Sequence, residues 1–167
     1  MMYGWLVLKI IHVVAGVLWV GSAVVIAAFL MPSARTLGPQ AAPFMSHLML
    51  KQKLSQYMMM VSGLNALSGL IMYWRVSSGF SVMSLHWPGG IGLIVGMVSG
   101  LIILIWGHAV QAPTAKKLGQ LTARLSGAPS PEQQQAIQML QDKLNFGAWF
   151  GVAGLMLSVI GMTMLHF

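Results

Sequence analysis

Cysteine is absent from the 167-residue chain, which excludes disulfides, thiolate nucleophiles and iron–sulfur clusters held by the protein's own sulfurs. Acidic side chains are nearly absent too: Glu132 and Asp142 are the only two. Both fall between the third and fourth of four stretches that hold no charged residue, Ile10 to Ala34, Leu54 to Trp74, Val76 to Ala115 and Leu144 to Phe167. No carboxylate therefore lies within an apolar stretch. That argues against carboxylate proton relays and against carboxylate-bound magnesium, calcium or di-iron sites. Charged residues make up 7% of the chain, where soluble domains carry roughly a quarter. In their place 57% of the residues are apolar, in stretches each longer than the ~18 residues a spanning helix needs.

This is the composition of an integral membrane protein, with the lipid bilayer as its first partner. A net charge of +7 would suggest nucleic acid in a soluble chain; here the distribution of basic residues about the spans explains it, and no nucleic-acid partner is expected. The expected fold is all-α, a four-helix membrane bundle in a single transmembrane domain over residues 1–167, with spans at about 5–31, 54–74, 89–111 and 144–166. The N-terminal apolar run continues past the cleavage-like Gly21-Ser22-Ala23 and reads as a retained span.

Four spans put both termini on one side. The connections on the other side, 32–53 and 112–143, carry Arg35, Lys51, Lys53, Lys116, Lys117, Arg124 and Lys143, against Lys9 and Arg75 on the terminal side. Seven against two makes the connections cytoplasmic and both termini periplasmic, in a bacterial inner membrane.

Pro32-Ser-Ala-Arg-Thr-Leu-Gly38 and Pro113-Thr-Ala-Lys-Lys-Leu-Gly119 share four of seven residues. With another offset, Lys53-Leu54 matches Lys143-Leu144, Leu67-Ser68 matches Leu157-Ser158, and Met72 stands opposite Met162. The chain reads as two repeated helical hairpins. Pro43 and Pro131 suit first-turn positions, and Ser130 with Gln133 has capping-box spacing. Helices two and four are thus expected to run unbroken from those prolines and to extend into the cytoplasm. Pro113 is expected to kink or end the third span, with 114–126 as a short basic amphipathic helix.

The first span carries the sharpest functional signal. Trp5, Lys9, His12, Gly16, Trp19 and Ala23 share one face by their three- and four-residue spacing. His12 lies ~10 Å inside the outer boundary at helical rise. An imidazole at that depth needs a hydrogen bond or a metal, and Gly16 one turn on leaves room for a flat group, as an axial haem ligand requires. A hydrogen bond to a neighbouring helix is the plainer reading of the same residue. Asn65, near the middle of the second span, should face the bundle and bond across helices, with contact to a cofactor as the alternative. The glycine stripes Gly147, Gly151, Gly154, Ser158, Gly161 and Gly96, Gly100 suit close helix packing. Fifteen methionines include Met162 and Met164 beside His166, with Met72, Met83 and His86 on the same outer side; thioether and imidazole ligands suit Cu(I). His108 and His47 belong near the cytoplasmic side.

Leu8-Lys-Ile-Ile-His12, Trp19-Val-Gly21 and Pro32-Ser-Ala-Arg35, followed by Lys53-Leu-Ser55, Leu67-Ser-Gly-Leu70 and the basic exit Gly107 to Leu118, resemble the copper-resistance D (CopD-like) membrane proteins, and more loosely the HemJ-type haem-binding membrane proteins. The resemblance covers roughly the first 120 residues. It implies a helical bundle in which His12 takes the place of the family's first-helix histidine, associated with haem b in HemJ-like members and with copper handling in CopD. The HemJ pattern has a lysine soon after the first span; here Lys51 comes 39 residues after His12.

The sequence thus leads to a b-type haem protein for membrane electron transfer, as anchor or accessory subunit of a redox complex or as a homo-oligomer. His12 is the expected axial ligand, with Met162 or His86 as the second, and Gly16, Trp19, Lys9 and Asn65 line the cofactor. The alternatives are Cu(I) binding by Met162, Met164 and His166, and a structural subunit without cofactor. No spacing defines a catalytic nucleophile or an acid–base pair, so no enzymatic activity is assigned.

Overall fold

The computed structural model describes residues 2–79, 90–125, 127 and 129–163. Every regular element among them is helical. Helix α1 (Met2–Val25) passes through a π-helical turn (Ile26–Leu30) into α2 (Met31–Leu37), and a 3-10 turn (Gly38–Gln40) leads to α3 (Ala41–Ser46). A second π turn (His47–Lys51) precedes α4 (Leu54–Val76). Helix α5 (Gly90–Trp106) enters a third π turn (Gly107–Gln111) and continues as α6 (Ala112–Ala123), after which α7 (Pro131–Thr163) completes the order.

Among the described residues, three helical runs are long and apolar enough to cross a membrane: Tyr3–Leu37, Gly90–Ala123 and Pro131–Thr163, of 35, 34 and 33 residues. At 1.5 Å per residue each reaches ~50 Å, well beyond a hydrocarbon core of ~30 Å. Their surfaces match such a setting. Large apolar side chains such as Phe29, Leu67, Ile91 and Ile105 are exposed, and the buried cluster is small, made of Trp19 (α1), Val61 (α4), Ile103 (α5) and Leu155 (α7). A water-soluble bundle of this size would put that apolar surface inside.

The helices pair as α1 with α4 and α5 with α7. In the first pair His12 meets Ser68, Gly16 meets Asn65 and Ser22 meets Tyr57, so numbers fall along α4 as they rise along α1 and the two run antiparallel. The second pair is antiparallel by the same test, with Gly96 on Ser158 and Gln111 on Leu144. Here glycine sets the distance of approach. A Cβ on Gly161 would lie 2.8 Å from the Gly96 nitrogen, and one on Gly96 would lie 2.8 Å from the Ser158 carbonyl oxygen, while the Ser158 hydroxyl donates to the Gly96 carbonyl at 2.7 Å. The connecting segments gather at one end: α3 and α7 both touch α6, and Arg35 pairs with Asp142. All seven basic residues of the two connections are exposed there.

One expectation about helix continuity is corrected and a second is narrowed. The helix expected to run from Pro43 to Trp74 is divided at Gln52–Lys53. Lys53 takes a left-handed conformation (φ 55°, ψ 34°), and the Gln52 N–H bonds back five residues to the His47 carbonyl at 3.0 Å, closing the π turn and leaving α4 to start afresh. Pro113, in turn, does not end the third helix. The π turn before it widens the backbone, so that proline, which lacks an N–H and crowds the preceding turn, is accommodated in the first turn of α6. Pro32 is treated in the same way: each π turn begins six residues before its proline, at Ile26 and at Gly107. Helix α7 does run unbroken from Pro131, opened by a reciprocal capping box in which Ser130 N–H donates to Gln133 Oε1 at 2.9 Å and Gln133 N–H to Ser130 Oγ at 3.3 Å.

Candidate functional site

Polar groups converge where α1 crosses the middle of α4. His12 is half-buried, and its Nδ1 lies 2.9 Å from the Asn65 backbone carbonyl and 3.2 Å from Ser68 Oγ. A carbonyl only accepts, so this shortest contact places the proton on Nδ1 and leaves the lone pair on Nε2. Asn65 answers through its side chain, whose Nδ2 donates to the His12 backbone carbonyl at 2.9 Å. Buried Ser68 donates to carbonyls of its own helix, Leu64 at 2.6 Å and Asn65 at 3.0 Å. Two side chains on facing helices are thus each held by the other helix's backbone.

Glycine makes the approach possible on both sides. A Cβ on Gly69 would stand 2.8 Å from His12 Cε1 and 3.2 Å from Nδ1, and one on Gly16 would stand 2.9 Å from Asn65 Nδ2. The imidazole lies in the notch of Gly69 and the carboxamide in the notch of Gly16. Sequence reasoning found the Gly16 notch but gave it to a flat ligand; the side chain in it is Asn65. Gly69 was visible only as part of Leu67-Ser-Gly-Leu70, since nothing in a single sequence says which facing residue a glycine receives.

The other expected site residues are dispersed. Trp19 is buried in the core with Val61, Ile103 and Leu155. The Lys9 ammonium sits over the Trp5 ring, 5.4 Å from its centroid. Met162 belongs to the second helix pair, where its Cγ would lie 3.2 Å from a Cβ on Gly96. His86, Met83, Met164 and His166 lie outside the described residues. His108 is exposed and turns Nδ1 to its own helix, at the Leu104 carbonyl (2.8 Å), and exposed His47 contacts Gln52. Among the described residues no three His, Asp or Glu side chains come together as a metal site would need.

A haem at His12 meets a mixed fit. The donor atom suits iron: Nε2 keeps its lone pair while Nδ1–H is anchored by a carbonyl, the usual support of a ligating imidazole, and Nε2 makes no hydrogen bond among the described residues. The recess expected beside Gly16 is filled by Asn65, so that face offers no place for a macrocycle. No family model, curated protein or solved structure matches the chain.

Proposed function

We propose that the chain is a four-span integral membrane protein of the bacterial inner membrane that binds haem b through His12 Nε2 and serves membrane electron transfer, as anchor or accessory subunit of a redox complex. The observation that carries the reading is the Asn65 carbonyl on His12 Nδ1 at 2.9 Å, which fixes the ring and leaves the second nitrogen available. Haem b, when bound, supplies a one-electron iron couple whose potential depends on the second axial ligand and on burial. Lys9, one turn outward, would supply a cation for the carboxylates of the bound group. The sequence offers two second ligands, Met162, which packs beside Gly96, and His86. The looser resemblance to HemJ-type proteins points the same way, whereas the resemblance to CopD-like proteins points to copper.

The four-span arrangement takes α4 as the second span, its 23 residues giving ~35 Å. Two repeated hairpins are supported by the matching π-turn and proline spacing and by Ser68 and Ser158, each a buried hydroxyl at a helix crossing.

A second reading, a structural subunit without cofactor, is favoured by the mutual filling of the Gly16 and Gly69 notches, which gives His12 a complete packing role. An absorption spectrum separates the two. Protein purified in mild detergent from cells supplied with haem should show a Soret band and the reduced α-band of a low-spin b-type haem, and His12→Ala should abolish or radically alter both. A colourless, folded preparation would establish the structural reading in its place, and stoichiometric copper in it would support Cu(I) binding at the outer Met/His cluster.

A further inference from the structure

A second feature of the first helix pair lies on its outer surface, toward the basic end. A groove of about 350 Å³ runs beside α1, lined by Val17, Leu18, Gly21, Val25, Ile26 and Leu30 on one side and by Leu48 and Leu54 on the other. Its one polar side chain, Ser22, is turned to the Tyr57 hydroxyl at 3.3 Å. From Val17 to Leu30 is ~20 Å of helix, more than the ~15 Å of one hydrocarbon leaflet. The groove therefore has the length and the chemistry of an acyl chain. Its end is not neutral: the segment that contributes Leu48 and Leu54 carries Lys51 and Lys53 between them, both exposed.

We propose that this groove holds one anionic phospholipid, its acyl chain along Val17 to Leu30 and its phosphate at Lys51 and Lys53. Charge complementarity decides the occupant. A second copy of this chain docked on the same face by two-fold symmetry would bring its own lysines against the same pair, and the chain has nine cationic residues but two acids to offset them, of which Asp142 is already paired with Arg35. A zwitterionic lipid would leave two ammonium groups without a net counter-charge at the membrane surface, where basic residues concentrate anionic lipid. The break at Gln52–Lys53 serves this geometry: it ends the π turn and places both lysines next to the groove rather than along an unbroken helix. The proposal rests on the chain lying in a bilayer and is independent of any haem.

The test is native mass spectrometry of the full chain, released from nanodiscs of equal phosphatidylglycerol and phosphatidylcholine content. Wild type should retain one phosphatidylglycerol in preference to phosphatidylcholine. Lys51→Gln with Lys53→Gln should lower that preference about thirtyfold, the scale expected for two interfacial cations. Gly21→Leu fills the groove from a position with nothing within 4 Å of its Cβ; it should displace the lipid without lowering the melting temperature. Lys116→Gln with Lys117→Gln, on α6, should leave retention unchanged. Equal retention of the two lipids by wild type would overturn the proposal, as would undiminished retention in either groove variant, or a lipid-free dimer. A haem-free sample that passes this test would remove the haem reading alone.

Discussion

Asn65 and His12 hold each other by their backbones: the Asn65 carboxamide donates to the His12 carbonyl at 2.9 Å, and the Asn65 carbonyl accepts from the His12 ring at the same distance. Both bonds cross from one helix to the other, so each residue is at once a side-chain anchor and a backbone receptor. A one-sided contact would allow its helix to rotate. The reciprocal pair fixes both the rotation of α1 and its axial register on α4.

Asn65→Leu removes one of the two bonds and puts a branched side chain into the Gly16 notch. A loss of ~1 kcal/mol or somewhat more is expected, near the scale of interhelical hydrogen bonds in membranes. Reversible unfolding in mixed detergent micelles measures it, and an unchanged midpoint would show that the pair contributes nothing to stability.

Gly69→Ala tests the other notch. The new methyl would stand 2.8 Å from His12 Cε1, so the ring must move or the helices must part, at a cost of about 1–3 kcal/mol for overpacking. Gly63 on the same helix has nothing within 4 Å of an added Cβ, and Gly63→Ala should stay within about 0.5 kcal/mol of wild type. Equal effects at the two positions would refute the placement of His12. A haem-loaded sample should also show a displaced Soret band with Gly69→Ala and an unaltered one with Gly63→Ala.

In the second pair, what an added methyl meets decides the damage. At Gly161 it meets the Gly96 nitrogen at 2.8 Å and its Cα at 3.0 Å, whereas at Gly100 it meets only the Ser158 hydroxyl at 3.2 Å. Backbone cannot step aside as a hydroxyl can. Gly161→Ala should therefore be the more destabilising of the two in the same unfolding measurement, and the reverse order would show that α5 and α7 do not pack through their glycines.

The proposed orientation rests on the seven-to-two division of basic residues. A C-terminal reporter active only in the cytoplasm should remain silent, and one fused within the connection at residues 124–130 should be active. Strong activity at the C-terminus would invert the assigned sides.

The spans of α1, α5 and α7 were legible because long apolar runs admit few other structures, and the start of α7 because proline, serine and glutamine stood at capping distances. The interhelical role of Asn65 was legible from cost alone, since an amide in the middle of an apolar span must find a partner. The division at Gln52–Lys53 was not. No glycine or proline marks it, and a lysine in the left-handed region is held there by surrounding structure rather than by its own preference. The π turns were equally hidden: proline announces that a helix has a difficulty, and whether the backbone kinks, stops or widens depends on what packs beside it. As for the site, one sequence showed two glycines, a histidine and an asparagine on suitable faces, but the pairing of Gly16 with Asn65 and of Gly69 with His12 is a matter of register between helices.

The π turn at Ile26–Leu30 separates α1 into two parts with different phases. A π turn is in effect a one-residue insertion in an α-helix, and one residue is worth ~100° of rotation. Everything after Leu30 is therefore turned by that amount relative to the face that carries His12, Gly16 and Trp19. Deleting a single residue between Ile26 and Leu30 would restore a regular α-helix and leave both those three and the Arg35–Asp142 pair where they are, whereas closing the π turn to α-helix at unchanged length would swing Arg35 away from Asp142, its partner across the basic end. The membrane half and the basic half of the same helix are geared separately, and the gear has a step of one amino acid.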